Sequence, residues 1–200
     1  MSKQLICVIL AAGLSKRAQL PKLLQLVQGK PLYHFVLQTN STISWREVVV
    51  VTNEEEIKKK AEYFGYTVLK NESAIEGKST SIKRACAYLQ EKYQQDVPLG
   101  VAFFVADQPF ITRQTIWRLH NAFVQEKGQF IVQPNYGTEK EPKRGNPVIF
   151  PFTLVDELMQ LSLDQGGASL IKDKPHQLIL INDQEQAKDF DYRADFQSLQ

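Results

Sequence analysis

The chain has 200 residues, 43% of them hydrophobic, enough to bury one sizeable core, so a single domain over 1–200 is the expectation. Its 24 lysines and arginines nearly balance 22 aspartates and glutamates, which gives no basic field for nucleic acid. No apolar run approaches the roughly 18 residues that span a bilayer, so no membrane partner is expected. With two cysteines and no signal-peptide pattern before the first strand, a cytoplasmic protein in a reducing compartment is expected.

The first element is the run Leu5-Ile6-Cys7-Val8-Ile9-Leu10. It is apolar throughout and ends at small residues, as a strand buried on both faces does. Side chains then shrink to Ala11, Ala12 and Gly13, and cations follow at Lys16, Arg17 and Lys22. Small residues let a backbone approach a ligand, and Gly13 can take a positive φ that turns successive N–H groups inward on an anion. With Ser15 and Pro21-Lys22, the stretch reads as a triphosphate-binding loop. The alternative is a tight strand-to-helix turn with solvated cations.

Gly29 and Pro31 mark a turn before a helix from about Leu32, with Val36 and Leu37 inward. Val48-Val49-Val50-Val51 is a second buried strand. Glu54-Glu55-Glu56 before Lys58-Lys59-Lys60 gives the exposed face of a helix over 54–64, laced by i,i+4 pairs and ended by Gly65. Thr67-Val68-Leu69 is a short strand. Ser79, Thr80 and Ser81 are N-cap candidates for a helix to about Lys92. A helix N-terminus there can serve a ligand and a capping hydroxyl with the same N–H groups.

Residues 101–106 form the most apolar strand, stopped by Asp107-Gln108-Pro109. A carboxylate at the end of a buried strand stands where a ligand is expected, while Thr112 suits the cap of the next helix. That helix, over 115–127, carries Ile116, Leu119, Ala122 and Phe123 on one face, with His120 beside it and Gly128 closing it. A strand at 130–134, a polar loop at 135–144 expected to be mobile over the site, a strand from Gly145 to Phe150, a helix at 152–161 and a strand at 178–181 follow. The alternation predicts an α/β fold in three layers, with a doubly wound, mostly parallel sheet binding ligands where its strand order reverses. His34, His120 and His176 have no recurring partner spacing, zinc-ligand spacing is absent, and the first loop lacks the Gly-x-Gly-x-x-Gly of dinucleotide-dependent oxidoreductases.

Leu10-Ala11-Ala12-Gly13-Leu14-Ser15-Lys16-Arg17, followed by Lys22, resembles the first signature of the MobA-like nucleotidyltransferases, and most nearly their molybdenum-cofactor cytidylyltransferase branch. The resemblance implies a Rossmann-like fold of the nucleotide-diphospho-sugar transferase kind. It also implies Mg²⁺ as cofactor, and transfer of a nucleotide from a triphosphate to a phosphorylated acceptor, with molybdopterin the suspected acceptor. By the same resemblance Leu10, Ala11, Ala12, Gly13, Lys22, Gly77 and Ser81 border the nucleotide. Arg17, Lys22 and Asp107 are the catalytic set, and Asp107 and Asp191 the metal ligands. Gly145, Asn146, Pro147 and Asp164 hold the acceptor.

The chain departs from the family pattern at several places. Ala18-Gln19 replaces Met-Gly, Ala106 stands for glycine or cysteine, Leu163 for a glycine, Ala168 for an arginine, and Tyr192-Arg193-Ala194 for Thr-Pro-Glu. Read without the resemblance, Asp164 can equally cap a helix over 168–172, and Asp191 can cap a short last helix. Ala-Ala-Gly favours CTP over GTP, while the Pro21-Lys22 pair is shared with isoprenoid-pathway cytidylyltransferases. A non-catalytic carrier that hands molybdenum cofactor to a molybdoenzyme apo-protein is the alternative from a different class.

Overall fold

A computed structural model of the chain describes residues 4–13, 21–77, 79–162 and 165–190. Strand β1 (Leu5–Ala11) lies in the interior of a seven-stranded sheet. On one side it pairs in parallel with β4 (Glu47–Thr52), which pairs with β5 (Thr67–Leu69). On the other side it pairs in parallel with β6 (Gly100–Val105). Next come β8 (Val148–Pro151), antiparallel to both neighbours, then β7 (Ile131–Asn135) and parallel to it β9 (His176–Leu180). The mostly parallel expectation holds, with one antiparallel strand inserted beside β6. The chain leaves β1 first toward β4 and later returns on its other flank at β6, so the switch point lies between β1 and β6.

A strand's side chains alternate between the two faces, so a strand covered on both sides is apolar at every position. In β1, Leu5, Cys7, Ile9 and Ala11 face one core, and Ile6 and Val8 the other. The first core is closed by α1 (Leu32–Ser41), α2 (Glu55–Tyr63) and α4 (Arg113–Gln125). The second is closed by α3 (Ser79–Lys92), α5 (Val155–Met159) and α6 (Ala168–Ile171). These are the three layers. Each fully buried leucine, isoleucine or phenylalanine contributes roughly 1.5–3 kcal/mol of transfer free energy. Both cysteines are buried thiols, and among the described residues no helix is long and apolar enough to cross a membrane.

Local signals explain several boundaries. Thr112 caps α4 by accepting from Thr115 N–H, and Gly128, at φ 69°, takes the left-handed turn after it. Gly65 at φ 75° does the same after α2. A small hairpin, β2 (Leu26–Val27) with β3 (Lys30–Pro31), was not expected from the sequence. Its turn residues Gln28 and Gly29 both have positive φ, at 50° and 75°, as the favoured two-residue hairpin turn requires. His120 is 2% exposed and packs edge-on against Trp45 with ring centroids 6.3 Å apart. At the far end of the sheet, the Glu47 carboxylate accepts hydrogen bonds from Thr67, Tyr88, Lys92 and Tyr93, at 2.6–2.8 Å.

Candidate active site

A cavity of about 800 Å³ opens over the carboxyl ends of β1, β6 and β7 on the face that carries α3 and α5. Leu10, Ala12 and Gly13 form its wall at the end of β1, and Val105, Ala106 and Asp107 its wall at the end of β6. The ladder between these strands continues past them through Ala106 N–H to Leu10 C=O, at 3.1 Å, which holds Asp107 against the first loop.

Lys22 reaches the same point from a short 3-10 turn, Lys22–Leu24, set by Pro21. Leu24 N–H closes that turn onto Pro21 C=O at 2.9 Å, and Leu23 is buried in the core. The Lys22 ammonium donates to Asp107 Oδ2 at 2.6 Å, across 85 residues of chain, with both side chains mostly shielded from solvent (15% and 21% exposed). The other carboxylate oxygen, Asp107 Oδ1, is buried and has no hydrogen-bond partner among the described residues. A buried carboxylate oxygen left unpaired costs free energy unless something positive meets it. A divalent cation fits there: Mg²⁺ takes one or two carboxylates and completes its shell with phosphate oxygens and water. Among the described residues no three His, Cys, Asp or Glu side chains gather to cage a metal by themselves.

Phe190 N–H donates to the Asp107 backbone C=O at 3.2 Å, so the chain's last described residues lie against the backbone of Asp107. Asp189 lines the cavity and accepts from Gln108 Nε2 at 2.6 Å. Gln108 and Asp189 had drawn no role from the sequence. Their pairing spans 81 residues and has no local signature.

The α3 N-terminus forms another wall, with Gly77, Ser81 and Ile82 on the cavity. Asn71, 2% exposed, donates from Nδ2 to both Thr80 Oγ1 (3.0 Å) and Ser81 Oγ (2.9 Å), fixing those hydroxyls. Thr80 Oγ1 in turn donates to Gly77 C=O at 2.8 Å. Opposite lie Arg144, Gly145 and Asn146. A side chain at 145 would meet the Tyr136 ring 2.6 Å from its Cβ, which is why this position takes glycine. Tyr136 is fully buried, and its hydroxyl donates to Asn146 C=O at 2.8 Å. Burial, and then the charges of Asp183 and Asp189, push its pKa above the usual phenol value, so it stays a donor.

The cavity therefore gathers Leu10, Ala12, Gly13, Lys22, Gly77, Ser81, Asp107, Gly145 and Asn146 from the expected site. Ala11 and Pro147 are buried and do not line it, and the Ala11 side chain points to the opposite core. Gly13 does not take the positive φ open to it, and among the described residues no heavy atom lies within 4 Å of where its Cβ would be. Arg17, Asp164 and Asp191 lie outside the described residues. The polar loop after β7 is tied rather than loose: Asn135 Oδ1 accepts from Gly137 N–H and Lys143 N–H, and Tyr136 N–H donates to Lys143 C=O at 2.8 Å. Only Arg144, at its end, lines the cavity, and Arg144 Nη2 lies 3.3 Å from His176 Nε2.

The profile of the MobA-like NTP transferase domain matches residues 7–178. The chain belongs to this family. It is thus a nucleotidyltransferase, and the strand ends that form the cavity fall within the matched region. Among curated proteins, the bifunctional protein GlmU of Bordetella petrii is 33% identical over 126 residues, covering 61% of this chain and 26% of that protein. The chain thus spans about a quarter of that relative's length. Among solved structures, a homologue of Mycobacterium tuberculosis Rv0371c from Mycobacterium sp. strain JC1 superposes with a TM-score of 0.82 at 22% identity, over 100% of this chain and 96% of that one. The molybdopterin-guanine dinucleotide biosynthesis protein A of Archaeoglobus fulgidus superposes with a TM-score of 0.70 at 14% identity, over 97% of this chain and 96% of that one. At these identities the two structures speak for the fold.

Proposed function

We propose that the chain, acting as one nucleotidyltransferase domain, transfers a cytidylyl group from CTP to a phosphorylated acceptor, molybdopterin, and releases pyrophosphate. The observation that carries this reading is the Lys22–Asp107 contact at the β1/β6 switch point, with Asp107 Oδ1 left unpaired beside it. A cation and a carboxylate with spare coordination, beside a cavity wall of small residues, are what a metal-bound triphosphate needs.

In the proposed reaction an oxygen of the acceptor phosphate bonds to the α-phosphorus while the bond from that phosphorus to the bridging oxygen of pyrophosphate breaks. The electron pair leaves with pyrophosphate. The protein has little covalent chemistry to do; its work is to position the reactants and neutralise developing charge. Ala12 and Gly13 let the triphosphate lie close to the backbone, with Arg17 assigned to its outer phosphates. Lys22 stabilises the charge that builds on the α-phosphate oxygens. Asp107, with Asp191, would hold Mg²⁺, which when bound screens phosphate charge and aligns the α-phosphate. Gly77 and Ser81, at the N-terminus of α3, meet the nucleoside. Gly145, Asn146, Pro147 and Asp164 are assigned to the acceptor.

CTP is preferred here because Ala11-Ala12-Gly13 is the form associated with cytidylyl rather than guanylyl transfer. A second reading, cytidylyl transfer to an isoprenoid-pathway erythritol phosphate, draws support from Pro21-Lys22. A third, a carrier that hands molybdenum cofactor to a molybdoenzyme apo-protein without chemistry, draws on Ala168, where the family's arginine stands and which lines the cavity here.

Thermal unfolding with Mg²⁺ and each of CTP, GTP, ATP and UTP tests the nucleotide assignment. A ligand at a hundredfold its Kd adds about 2.7 kcal/mol, or roughly 5–10 °C for a chain of this size. The shift is expected with CTP and to be small with the others. Equal shifts from all four would remove the base assignment, and no shift from any would remove the nucleotide site.

A further inference from the structure

Gln133 stands apart from the other cavity-lining residues. It sits on β7 on the same face as Ile131, toward α3 and α5, and lines the cavity although it is only 2% exposed. Its Nε2 amide is buried and has no hydrogen-bond partner among the described residues. The surfaces around it are apolar: Phe103 of β6 and Val148 and Phe150 of β8 line the same floor, and the two phenylalanines meet edge to face at 5.9 Å. The Ala168 methyl lies on the cavity too. A buried donor without an acceptor destabilises the fold, and such a group in a ligand cavity commonly fixes a ligand's orientation.

Its distance from the chemistry is also informative. β7 lies two strands from β6, whose end at Val105 leads into Asp107, and strand spacing of roughly 4.8 Å puts Gln133 on the order of 10 Å to the side of the reacting phosphate. A nucleotide placed over β1 and α3 does not cover that floor, which leaves it for the acceptor.

We propose that Gln133 is a specificity-determining residue for the acceptor. Its Nε2 donates a hydrogen bond to an oxygen or ring nitrogen of an acceptor with a flat, largely apolar body. That body lies on the Phe103–Phe150 floor while the acceptor's phosphate points toward Lys22 and Asp107. This inference rests on the nucleotidyl-transfer reading and deepens it: the floor selects planar heterocyclic phosphates over polyol phosphates.

The test measures binding to the full chain saturated with Mg²⁺ and a non-hydrolysable CTP analogue. The probes are 6-hydroxymethylpterin phosphate and ribitol 5-phosphate, and the proteins are wild type, Gln133→Leu and Gln133→Glu. Loss of one neutral hydrogen bond predicts about tenfold weaker pterin-phosphate binding in both variants, with unchanged affinity for the CTP analogue. Ribitol 5-phosphate should bind wild type at least tenfold more weakly than the pterin and be indifferent to both variants. Because the leucine removes an unpaired buried amide, Gln133→Leu should also unfold at the same or a higher temperature. A leucine variant that is equally or more stable and binds the pterin phosphate as wild type does would overturn the proposal. So would failure of the pterin phosphate to bind wild type, or a preference for ribitol 5-phosphate. Failure of the CTP analogue to bind at all would instead overturn the nucleotidyl-transfer reading itself, and this inference with it.

Discussion

Replacing Lys22 with methionine removes one charge from the heart of the site and keeps the side chain's length. At 2.6 Å and an effective dielectric of about 20, the Lys22–Asp107 attraction is roughly 6 kcal/mol in gross terms. Most of that is offset by taking two charges out of water. With side chains 15% and 21% exposed, a net loss of about 1–2 kcal/mol is expected, or roughly 2–8 °C in Tm. On the proposed mechanism the ammonium acts on charge that exists only in the transition state, so the catalytic loss should be larger: about 10²–10³-fold in kcat. KM for the triphosphate should change far less. The assay is single-turnover pyrophosphate release at saturating Mg²⁺ and CTP, run well below the variant's Tm. In the double variant with Asp107→Asn the stability losses should be less than additive, while activity is not restored. A Lys22→Met enzyme with lowered Tm and kcat within tenfold of wild type would refute the reasoning, since the pair would then be a structural clamp.

Asp107→Asn keeps a side-chain oxygen for Lys22 but loses the carboxylate. The Mg²⁺ concentration at half-maximal rate should rise at least tenfold, and a metal titration of the rate checks this. Gly145→Ala would put a Cβ 2.6 Å from the buried Tyr136 ring, so roughly 1–3 kcal/mol of stability and a raised acceptor KM are expected from unfolding and steady-state curves. Glu47 is held in the charged form: burial opposes it, but Lys92, Thr67, Tyr93 and Tyr88 together bring its pKa below the usual 4.5. A carboxyl with a depressed folded pKa stabilises the fold above its unfolded pKa, and that contribution fades as pH falls through the folded value. Urea unfolding from pH 7 down through acidic pH should therefore show Glu47→Gln losing about 1–3 kcal/mol at pH 7 and progressively less as the carboxyl protonates. Activity should be kept, because Glu47 lies at the opposite end of the sheet from the cavity.

The parts legible in the sequence are those fixed by local chemistry. The β1 run is apolar at every position because both faces are covered, and Thr112 announces α4 by its own hydroxyl. Asp107 stood out because a carboxylate directly after a buried strand has few reasons to be there. What was not legible depends on distant pairing. Nothing in Val148–Pro151 indicates that it runs antiparallel between β6 and β7, since its residues would suit either direction. Gln108 and Asp189 meet across 81 residues. Gln133 reads as an ordinary strand glutamine until the apolar floor around it is known. The loop from Asn135 to Arg144 looked loose because its polar composition hides that one buried asparagine ties it.

The most direct test of the central claim is acceptor-dependent pyrophosphate release. Purified protein, Mg²⁺, molybdopterin and each labelled triphosphate should yield one pyrophosphate per nucleotide joined to the acceptor, fastest with CTP, and none when the acceptor is omitted. Tight binding of molybdopterin and CTP with no pyrophosphate formed from any triphosphate would contradict catalysis and leave a carrier.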